Sequence, residues 1–338
     1  MSQRVTILDV AADADVSIAS VSAALNGRPG VSKDTRARII QSAERLGWVP
    51  SVRGRGLSGK RSYALGLVLA RQPEVIESDP FFAGFIAGVE GELQSRGYAL
   101  VLQLAGRNEG PDRYRQLHLD HRVDGVFITD MSVDDPRVAL VTELGLPAVA
   151  INSGPGCAIT SVRQDQNAGF GELVRRVVEL GHRDIAHVAG RRGMIHTRQR
   201  IDVWRSTLHA AGIRPGSLVY GDFSTESGSR AADRLLSGPG PAPTAVVCAN
   251  DLMAIGFIAR ASSLGYDVPR DVSVTGFDGI HLGRYIRPAL TTVVTSPREL
   301  GAEAAKTLLK LVDGQAVADL DIAPTHLLER DSLLAPMR

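Results

Sequence analysis

Three polar side chains at the ends of predicted strands have the chemistry to bind a small hydroxylated ligand. Asp278 ends the apolar run VSVTGF, Asn250 ends AVVCA, and Arg200 opens the helix predicted after IAHVAG. Carboxylate and carboxamide groups form hydrogen bonds with ligand hydroxyls, and a guanidinium fork can bridge two of them. Ligands of open α/β sheets bind outside the carboxyl ends of the strands, so this placement predicts a binding site.

The sequence lacks the patterns that would indicate catalysis or a cofactor. It has no GxSxG elbow, no P-loop and no cluster of metal-ligand residues. Gly54, Gly56 and Gly59 have the spacing of a dinucleotide fingerprint, but a predicted helix and Pro50 precede them, whereas that motif requires a preceding strand. The two cysteines are distant and lack CxxC or Cys/His spacing, so we expect buried thiols. We therefore expect no enzyme, no cofactor and no metal.

The elements that must position the strand-end residues alternate between strand and helix. Short, continuous apolar runs are typical of buried parallel strands. The predicted strands are ALGLVLA, ALVLQLA, GVFIT, AVAIN, IAHVAG, 218–220, AVVCAN and VSVTGFD, and the predicted helices cover 82–97, 112–121, 136–144, 168–180, 200–211, 227–236 and 253–264. This order predicts two doubly wound parallel-sheet lobes with a cleft between them. The segment from 291 onward is expected to return to the first lobe and add closing strands.

The first 26 residues of the chain predict a helix-turn-helix. An apolar stripe at helical spacing runs from Val5 to Ala11, and a second helix begins at Ser17, whose hydroxyl can cap it. A third helix should follow Ser32 and end at Gly47. The second helix leaves small and apolar side chains facing outward, and such a helix fits the major groove of DNA. A three-helix bundle without a DNA role is the alternative.

Charge and length separate this N-terminal head from the remainder of the chain. Residues 1–61 hold ten Lys/Arg and five Asp/Glu, a net charge of +5, whereas the rest carries −4. Segregated basic charge favours nucleic-acid binding by the head. A chain of 338 residues should form several domains. No apolar run reaches the roughly 18 residues of a membrane span, and the N-terminus does not resemble an export signal, so we expect a cytoplasmic protein.

At this point the residues identify a family resemblance that covers nearly the whole chain. The run VTILDVAADADVSIASVSAALNGRPGVSKDTRARIIQSAERLGWVPSVRGRGLSG closely resembles the N-terminal module of lactose-repressor/galactose-repressor (LacI/GalR) transcription factors. The segments DPFFAGFIAGVEGELQSRGYALVL, VELGHRDIAHVAG, PTAVVCANDLMAIGFIARASSLGYDVPRDVSVTGFD and PALTTV resemble the family's periplasmic-binding-protein-like effector domain, type I. The implied fold class is an all-α helix-turn-helix head plus an α/β body.

The resemblance implies roles for individual positions. It places base-edge contacts at Ile18, Ala19 and Ala23, phosphate contacts at Thr6, Ser17, Asn26, Ser32 and Thr35, and effector contacts at Phe82, Arg200, Phe223, Asn250 and Asp278. Many family members have long polar side chains at the three reading positions, where this chain is apolar. We therefore expect DNA affinity to depend on phosphates and DNA shape. One of Phe81 and Phe82 is expected in the core, and Asp251 is expected to cap the helix after AVVCAN.

The linker at 50–61 is rich in glycine and arginine. The resemblance implies that it forms a short hinge helix, which inserts Leu57 into the minor groove and kinks the duplex. Gly54 and Gly56 each disfavour a helix by about 1 kcal/mol relative to Ala. We therefore predict that the hinge folds only on DNA, with a plain flexible linker as the alternative.

Together these features predict a ligand-responsive, DNA-binding transcriptional regulator, expected to be a repressor. Two heads on a twofold axis bind DNA better than one, so we expect a homodimer on a palindromic operator. We expect no tail-mediated tetramer, because no leucine-heptad segment follows the body. The predicted effector is a sugar or sugar derivative, a purine is the alternative, and inducer and corepressor roles stay open. A solute receptor and an enzyme are the rival classes.

The same reading divides the chain into three parts. The predicted parts are 1–49 for the DNA-binding head, 50–61 for the hinge, and 62–338 for effector binding and dimerisation. Within the last part, lobe 1 is predicted to cover 62–162 and 293–324, and lobe 2 to cover 163–292 and 325–338.

Overall fold

The computed structural model describes residues 5–25, 29–48, 61–71, 79–106 and 109–337. The predicted DNA contacts Asn26 and Leu57, and all of the predicted hinge except Arg61, lie outside these ranges. Within them, every helix is too short or too polar to span a lipid bilayer.

The N-terminal head consists of three short helices, as the sequence predicts. They are α1 (Ile7–Asp13), α2 (Ile18–Leu25) and α3 (Lys33–Arg45). The Ser17 hydroxyl accepts a hydrogen bond from the Ser20 amide at 3.1 Å, and the Ser32 hydroxyl accepts one from the Thr35 amide at 3.1 Å. Both hydroxyls thus satisfy otherwise unpaired N–H groups in the first turn of α2 or α3, which confirms both predicted helix starts.

The head holds together through a small apolar core and one polar clamp. Val10, Val21 and Ile39, one from each helix, are fully buried against one another. The Asp13 carboxylate on α1 accepts hydrogen bonds from the Ser42 hydroxyl and the Arg45 guanidinium on α3. Helix α2 is therefore packed against α1 and α3 on its buried side.

The body alternates strands and helices in the predicted order. Its first part contains β1 (Ala64–Leu69), α4 (Pro80–Gln94), β2 (Ala99–Leu104), α5 (Gly110–Leu119), β3 (Gly125–Ile128), α6 (Pro136–Glu143), β4 (Ala148–Ile151) and β5 (Ser161–Gln164). The middle contains α7 (Gln166–Glu179), β6 (Ile185–Ala189), α8 (Ile195–Ala210), β7 (Leu218–Tyr220), α9 (Thr225–Leu236), β8 (Ala245–Cys248), α10 (Asp251–Ser263) and β9 (Ser273–Thr275). The last part contains β10 (Thr292–Val294), α11 (Pro297–Val312), β11 (Leu320–Ile322) and β12 (His326–Leu328).

These strands form two parallel sheets and one short antiparallel pair. The six-stranded sheet has the order β11-β5-β4-β3-β1-β2, and the four-stranded sheet has the order β7-β6-β8-β9. All pairs in both sheets are parallel, with Leu67 opposite Leu102 in the first and Val188 opposite Cys248 in the second. The pair β10-β12 is antiparallel. The prediction of two doubly wound parallel-sheet lobes is confirmed.

We call the six-stranded sheet with its helices lobe 1 and the four-stranded sheet with its helices lobe 2. The chain passes from β5 in lobe 1 to α7 in lobe 2, and it returns through β10 to α11, which packs on lobe 1. Strand β5 ends at Gln164, whose side-chain oxygen accepts a hydrogen bond from the Ser296 amide at 3.0 Å. This bond ties together the outgoing and returning connections. The residue ranges predicted for the lobes remain a prediction.

Helices α4 and α11 of lobe 1 approach each other unusually closely. A Cβ atom added at Gly88 of α4 would lie 2.0 Å from the Arg298 carbonyl oxygen, and one at Gly301 of α11 would lie 2.2 Å from the Phe85 carbonyl oxygen. Only a residue without a side chain fits at either point. The two helices therefore pack backbone against backbone.

A pair of glycine substitutions in α4 tests this packing. We expect Gly88→Ala to lower the free energy of unfolding by about 1–3 kcal/mol, because the helices must separate to admit the methyl group. Gly91→Ala is the matched control, since a Cβ there meets no described atom within 4 Å. We expect it to stabilise the protein by about 0.5–1 kcal/mol, through the better helix propensity of alanine. Urea denaturation measures both, and equal effects would contradict the close packing.

Candidate functional site

A cleft between the two lobes gathers polar side chains from the carboxyl ends of the strands. It has an empty volume of roughly 550 Å³. Its walls are formed by Arg71, Asp79, Phe81, Thr129, Asp130, Ile151, Asn152, Gln166, His196, Arg200, Phe223, Asn250 and Asp278. Four of the five predicted effector contacts are in this set, and the fifth, Phe82, is not. Residues that are far apart in the sequence thus meet in this cleft.

Arg71 is the charged centre of the cleft, and sequence reasoning missed it. Its guanidinium donates to Asp79 at 2.8 Å and to Asp130 through two N–H groups, of which Nη2 lies at 2.6 Å. Burial alone would lower the pKa of Arg71, but the two carboxylates more than offset this and raise it. The available signal was its position, since Arg71 closely follows the carboxyl end of β1, as the predicted contacts follow the carboxyl ends of strands in the other sheet.

Arg200 enters the cleft from lobe 2 in the second turn of α8. This helix begins at Ile195, so Arg200 does not open it as predicted. Its guanidinium donates to the Ala249 carbonyl at 2.6 Å and to the Gln166 side-chain oxygen at 2.8 Å, and it stacks 3.8 Å from the centroid of the Phe277 ring. Burial lowers the pKa of Arg200 to about 10. The residue is therefore fixed in place and still charged at neutral pH.

Asp278 presents a carboxylate to the cleft. Its backbone has a φ of 119° and its amide donates to the Val293 carbonyl at 2.9 Å, which fixes the turn after β9. The carboxylate makes no hydrogen bond to another described residue. Burial and the nearby charge of Asp79 raise its pKa well above the ordinary value. A ligand hydroxyl that donated to this group would replace its lost hydration.

Asn250 lies in the cleft wall, but both ends of its amide are already used. Its Oδ1 accepts from the Met253 amide at 3.0 Å, and its Nδ2 donates to the Phe223 carbonyl at 3.0 Å. Asn250 is thus the N-cap of α10, and the expectation that Asp251 caps this helix was wrong. Asp251 is instead fully buried and accepts from the Ile280 amide and the Thr292 hydroxyl. An N-cap needs extended backbone, which Asn250 has.

The two adjacent phenylalanines at the start of α4 differ in their surroundings. Phe82, the predicted effector contact, is 1% exposed and packs in the core of lobe 1, whereas Phe81 lines the cleft. Consecutive helical residues point about 100° apart, and Phe82 shares the core-facing stripe with Phe85 and Val89. The structure therefore places Phe81, and not Phe82, in the wall of the cleft.

Phe223 lines the cleft as predicted, and its position depends on a glycine. A Cβ atom at Gly190, just after β6, would lie 2.0 Å from Cζ of the Phe223 ring. The ring also lies with its centroid 5.3 Å from the guanidinium carbon of Arg71 in the other lobe. Phe223 therefore reaches across the cleft because residue 190 has no side chain.

In the head, the predicted DNA contacts within the described ranges lie on α2 and α3 or just before the starts of α1, α2 and α3. Ile18 is 46% exposed. Thr6, Ser17, Ala19 and Ser32 are exposed, while Ala23 and Thr35 are half-buried. The Thr6 amide and hydroxyl donate to the Asp9 carboxylate at 2.7 and 2.8 Å. Their contacts with DNA stay a prediction.

No group of three or more His, Cys, Asp or Glu side chains in the described ranges could hold a metal ion. The lining of the cleft offers hydrogen-bonding groups, charged groups and aromatic rings.

Comparison with known proteins assigns the family. The family model for bacterial regulatory proteins of the lacI family matches residues 6–51, and that for the periplasmic binding protein-like domain matches 174–333. The HTH-type transcriptional repressor CytR of Escherichia coli (strain K12) is 32% identical over 321 residues, which cover 92% of this chain and 91% of the relative. The chain belongs to the LacI family. It is thus a transcriptional regulator, as the sequence predicts.

Two solved structures of the LacI family resemble the whole chain. The lac repressor dimer bound to operator and the anti-inducer ONPF has a TM-score of 0.85 at 28% identity, and covers 98% of this chain and 100% of its own. The complex of the transcriptional regulator CelR with cellobiose has a TM-score of 0.74 at 31% identity, with coverage of 97% and 100%. The relatives found by these comparisons are transcriptional regulators and not enzymes.

Loss of the buried cation should cost far more stability than loss of a surface one. We expect Arg71→Met to lower the free energy of unfolding by about 3–5 kcal/mol, because it leaves Asp79 and Asp130 buried without their partner. Arg163→Met is the control, since Arg163 also pairs with two carboxylates, Asp319 and Asp321, but these are 43% and 65% exposed. We expect it to cost about 0–1 kcal/mol. Denaturant unfolding at pH 7 measures both, and similar losses would contradict the role of Arg71.

Proposed function

We propose that the protein is a repressor that binds a palindromic operator as a homodimer, and that a small uncharged sugar or polyol in the cleft controls its DNA affinity. The observation that carries the proposal is that acidic side chains outnumber basic ones in the cleft wall, with Asp79, Asp130 and Asp278 against Arg71 and Arg200. The uncharged hydrogen-bonding groups and aromatic rings are then the features left to select a ligand.

The charged side chains of the cleft wall argue against an anionic effector. Arg71 lies between Asp79 and Asp130, and Arg200 faces Asp278 while donating to two protein oxygens. Burial lowers the pKa of His196 to about 3, so this imidazole is neutral at physiological pH. Among the described residues lining the cleft, Arg71 is therefore neutralised by two carboxylates, and Arg200 already donates through both terminal nitrogens to protein oxygens. A phosphate or carboxylate would meet a wall in which acidic groups are in excess, and its lost hydration would be poorly compensated.

The remaining groups suit a ring that carries hydroxyls. Phe81 and Phe223 present apolar ring surfaces, which match the faces of a sugar. Asp278, Thr129 and Asn152 offer a carboxylate, a hydroxyl and an amide for its edge. The CelR complex with cellobiose shows that a family relative binds a neutral sugar, which supports the same class here.

Contacts across the cleft mouth provide a way for the ligand to act. The Val133 amide of lobe 1 donates to the Gly193 carbonyl of lobe 2 at 3.2 Å, and the Ile195 amide of lobe 2 donates to the Met131 carbonyl of lobe 1 at 3.0 Å. A ligand held by both lobes favours this closed arrangement over an open one by its difference in affinity. The ligand thereby shifts the population of lobe arrangements.

The end of the linker is fixed to lobe 1, so lobe movement can reach the head. Arg61 donates to the Asp313 carboxylate at 2.8 Å and to the Val312 carbonyl at 3.0 Å. The Ser62 and Tyr63 amides both donate to the Asp124 carboxylate. In a dimer, rotation of the lobes would change the spacing of the two heads and hence their fit to two half-sites.

A competition experiment tests the charge of the effector. Thermal shift with neutral mono- and disaccharides should reveal a stabilising ligand, and calorimetry then gives its affinity. We expect the matching uronic acid not to displace it, and Asp278→Asn to weaken it by about tenfold or more, because the carboxylate offers two acceptor oxygens and the asparagine amide only one. Asp120→Asn, an exposed aspartate outside the cleft, is the control. A uronate that competes with equal affinity would exclude a neutral effector.

A second experiment tests the reading helix. DNA selected from a random pool by the protein supplies the operator, and anisotropy measures binding. We expect Ile18→Glu to weaken binding by about tenfold or more, because it brings a negative charge to the phosphates. The helix itself should tolerate glutamate in its first turn. Ile40→Glu on α3, where Ile40 is 41% exposed, is the control and should bind normally. Unchanged binding by the Ile18 variant would remove α2 from the DNA interface.

A further inference from the structure

A second cavity lies on the other side of helix α8 from the effector cleft. His196 and Arg200 of this helix line the cleft, whereas Thr197, Arg198 and Arg205 line the second cavity. The wall of this cavity also includes Arg192 and Tyr220 of lobe 2 and Val133 of lobe 1. The empty volume is roughly 700 Å³. We call this space the arginine cavity.

The charge balance of the arginine cavity is the opposite of that in the effector cleft. Its wall carries three guanidinium groups but one carboxylate, Asp202. Arg198 faces that carboxylate at 3.8 Å. Arg192 and Arg205 make no hydrogen bond or ion pair with any other described residue. Two cations are therefore available to a ligand at this site, whereas acidic side chains outnumber basic ones in the cleft.

Arg192 is held in a geometry that suits a phosphate. Its guanidinium carbon lies 3.6 Å from the centroid of the Tyr220 ring. Stacking on an aromatic ring fixes the plane of the guanidinium and leaves its N–H groups directed outward in that plane. Such a fork matches two oxygens of a phosphate, and the paired hydrogen bonds are charge-assisted.

The wall also contains a polar group without a partner. Thr197 is 2% exposed, and its hydroxyl makes no hydrogen bond within the described structure. Buried polar atoms without a partner are uncommon in folded proteins, and each one costs free energy. This oxygen lies beside Gly190 and is shielded from solvent, so the binding of a ligand rests on the two arginines.

We propose that the arginine cavity binds a phosphate monoester, held by Arg192 and Arg205, as a second effector that is chemically distinct from the neutral ligand of the cleft. The neighbouring residue Gly193 accepts the hydrogen bond from Val133 across the lobes. An anion that fixes Arg192 therefore also favours the closed lobes. Both ligands then act on the same closing movement from opposite sides of α8, and each raises the affinity for the other.

Calorimetry on the full-length protein tests this site, with inorganic phosphate and glucose 6-phosphate as probes at fixed ionic strength. We expect saturable binding of at least one probe, weakened about tenfold or more in Arg192→Gln and in Arg205→Gln because each loses a charge-assisted contact. Arg115→Gln, which removes an exposed arginine from α5 in lobe 1, is the matched control and should bind normally. Tighter binding of glucose 6-phosphate than of phosphate would identify a phosphorylated metabolite, and equal affinity would identify free phosphate; either supports an anion site.

Three results would overturn the proposal. The first is that neither probe binds saturably up to about 10 mM, which is a weak limit for a useful site. The second is that both arginine variants bind with unchanged affinity. The third is that Asp278→Asn loses binding while both arginine variants retain it. The last result would place the anion in the cleft and would also count against a neutral effector there. Response to neutral sugars, measured in parallel, separates failure of this site from failure of the cleft assignment.

Discussion

A charge removed from water must be paired within the protein, and the buried guanidinium of Arg71 shows how much of the cleft follows from that requirement. Asp79 serves Arg71 and also accepts a hydrogen bond from the Phe81 amide, so the same carboxylate starts helix α4. That start fixes which face of α4 meets the core and turns Phe81 toward the ligand space. The other partner, Asp130, follows strand β3 in the same sheet. One ion-pair network thereby positions a helix, a strand end and an aromatic wall.

The sequence predicts the fold well because burial imposes a simple pattern on each element. Strands covered on both faces appear as continuous apolar runs, and parallel order brings their carboxyl ends to one edge. This is why Arg200, Asn250 and Asp278 could be proposed together although long segments separate them, whereas Phe223 came from the family resemblance. The capping roles of Ser17 and Ser32 could also be predicted from the sequence, because a helix cap involves residues only a few positions apart.

What the sequence could not predict depends on contacts between distant segments or on single-residue offsets. Nothing in its spacing indicates that Arg71 meets Asp79 and Asp130, because partner choice follows from the assembled sheet. The sequence predicts Phe82 as the effector contact, whereas Phe81 lines the cleft. The two side chains differ by a rotation of about 100° around α4, and the exact start of this helix could not be read from the sequence. Taking Asp251 as the cap instead of Asn250 was an error of one position, and either residue type caps well.

The close packing of α4 on α11 makes these two helices one mechanical part. The N-terminus of α4 carries Phe81 at the effector cleft, and the C-terminus of α11 holds Arg61, where the linker to the head ends. With carbonyl oxygens filling the places where side chains would be, the helices cannot slide past each other without a clash. Helix α11 has 16 residues and is about 24 Å long. Lobe 1 therefore contains a rigid pair of helices, with one end at the effector cleft and the other end where the linker to the DNA-binding head is attached.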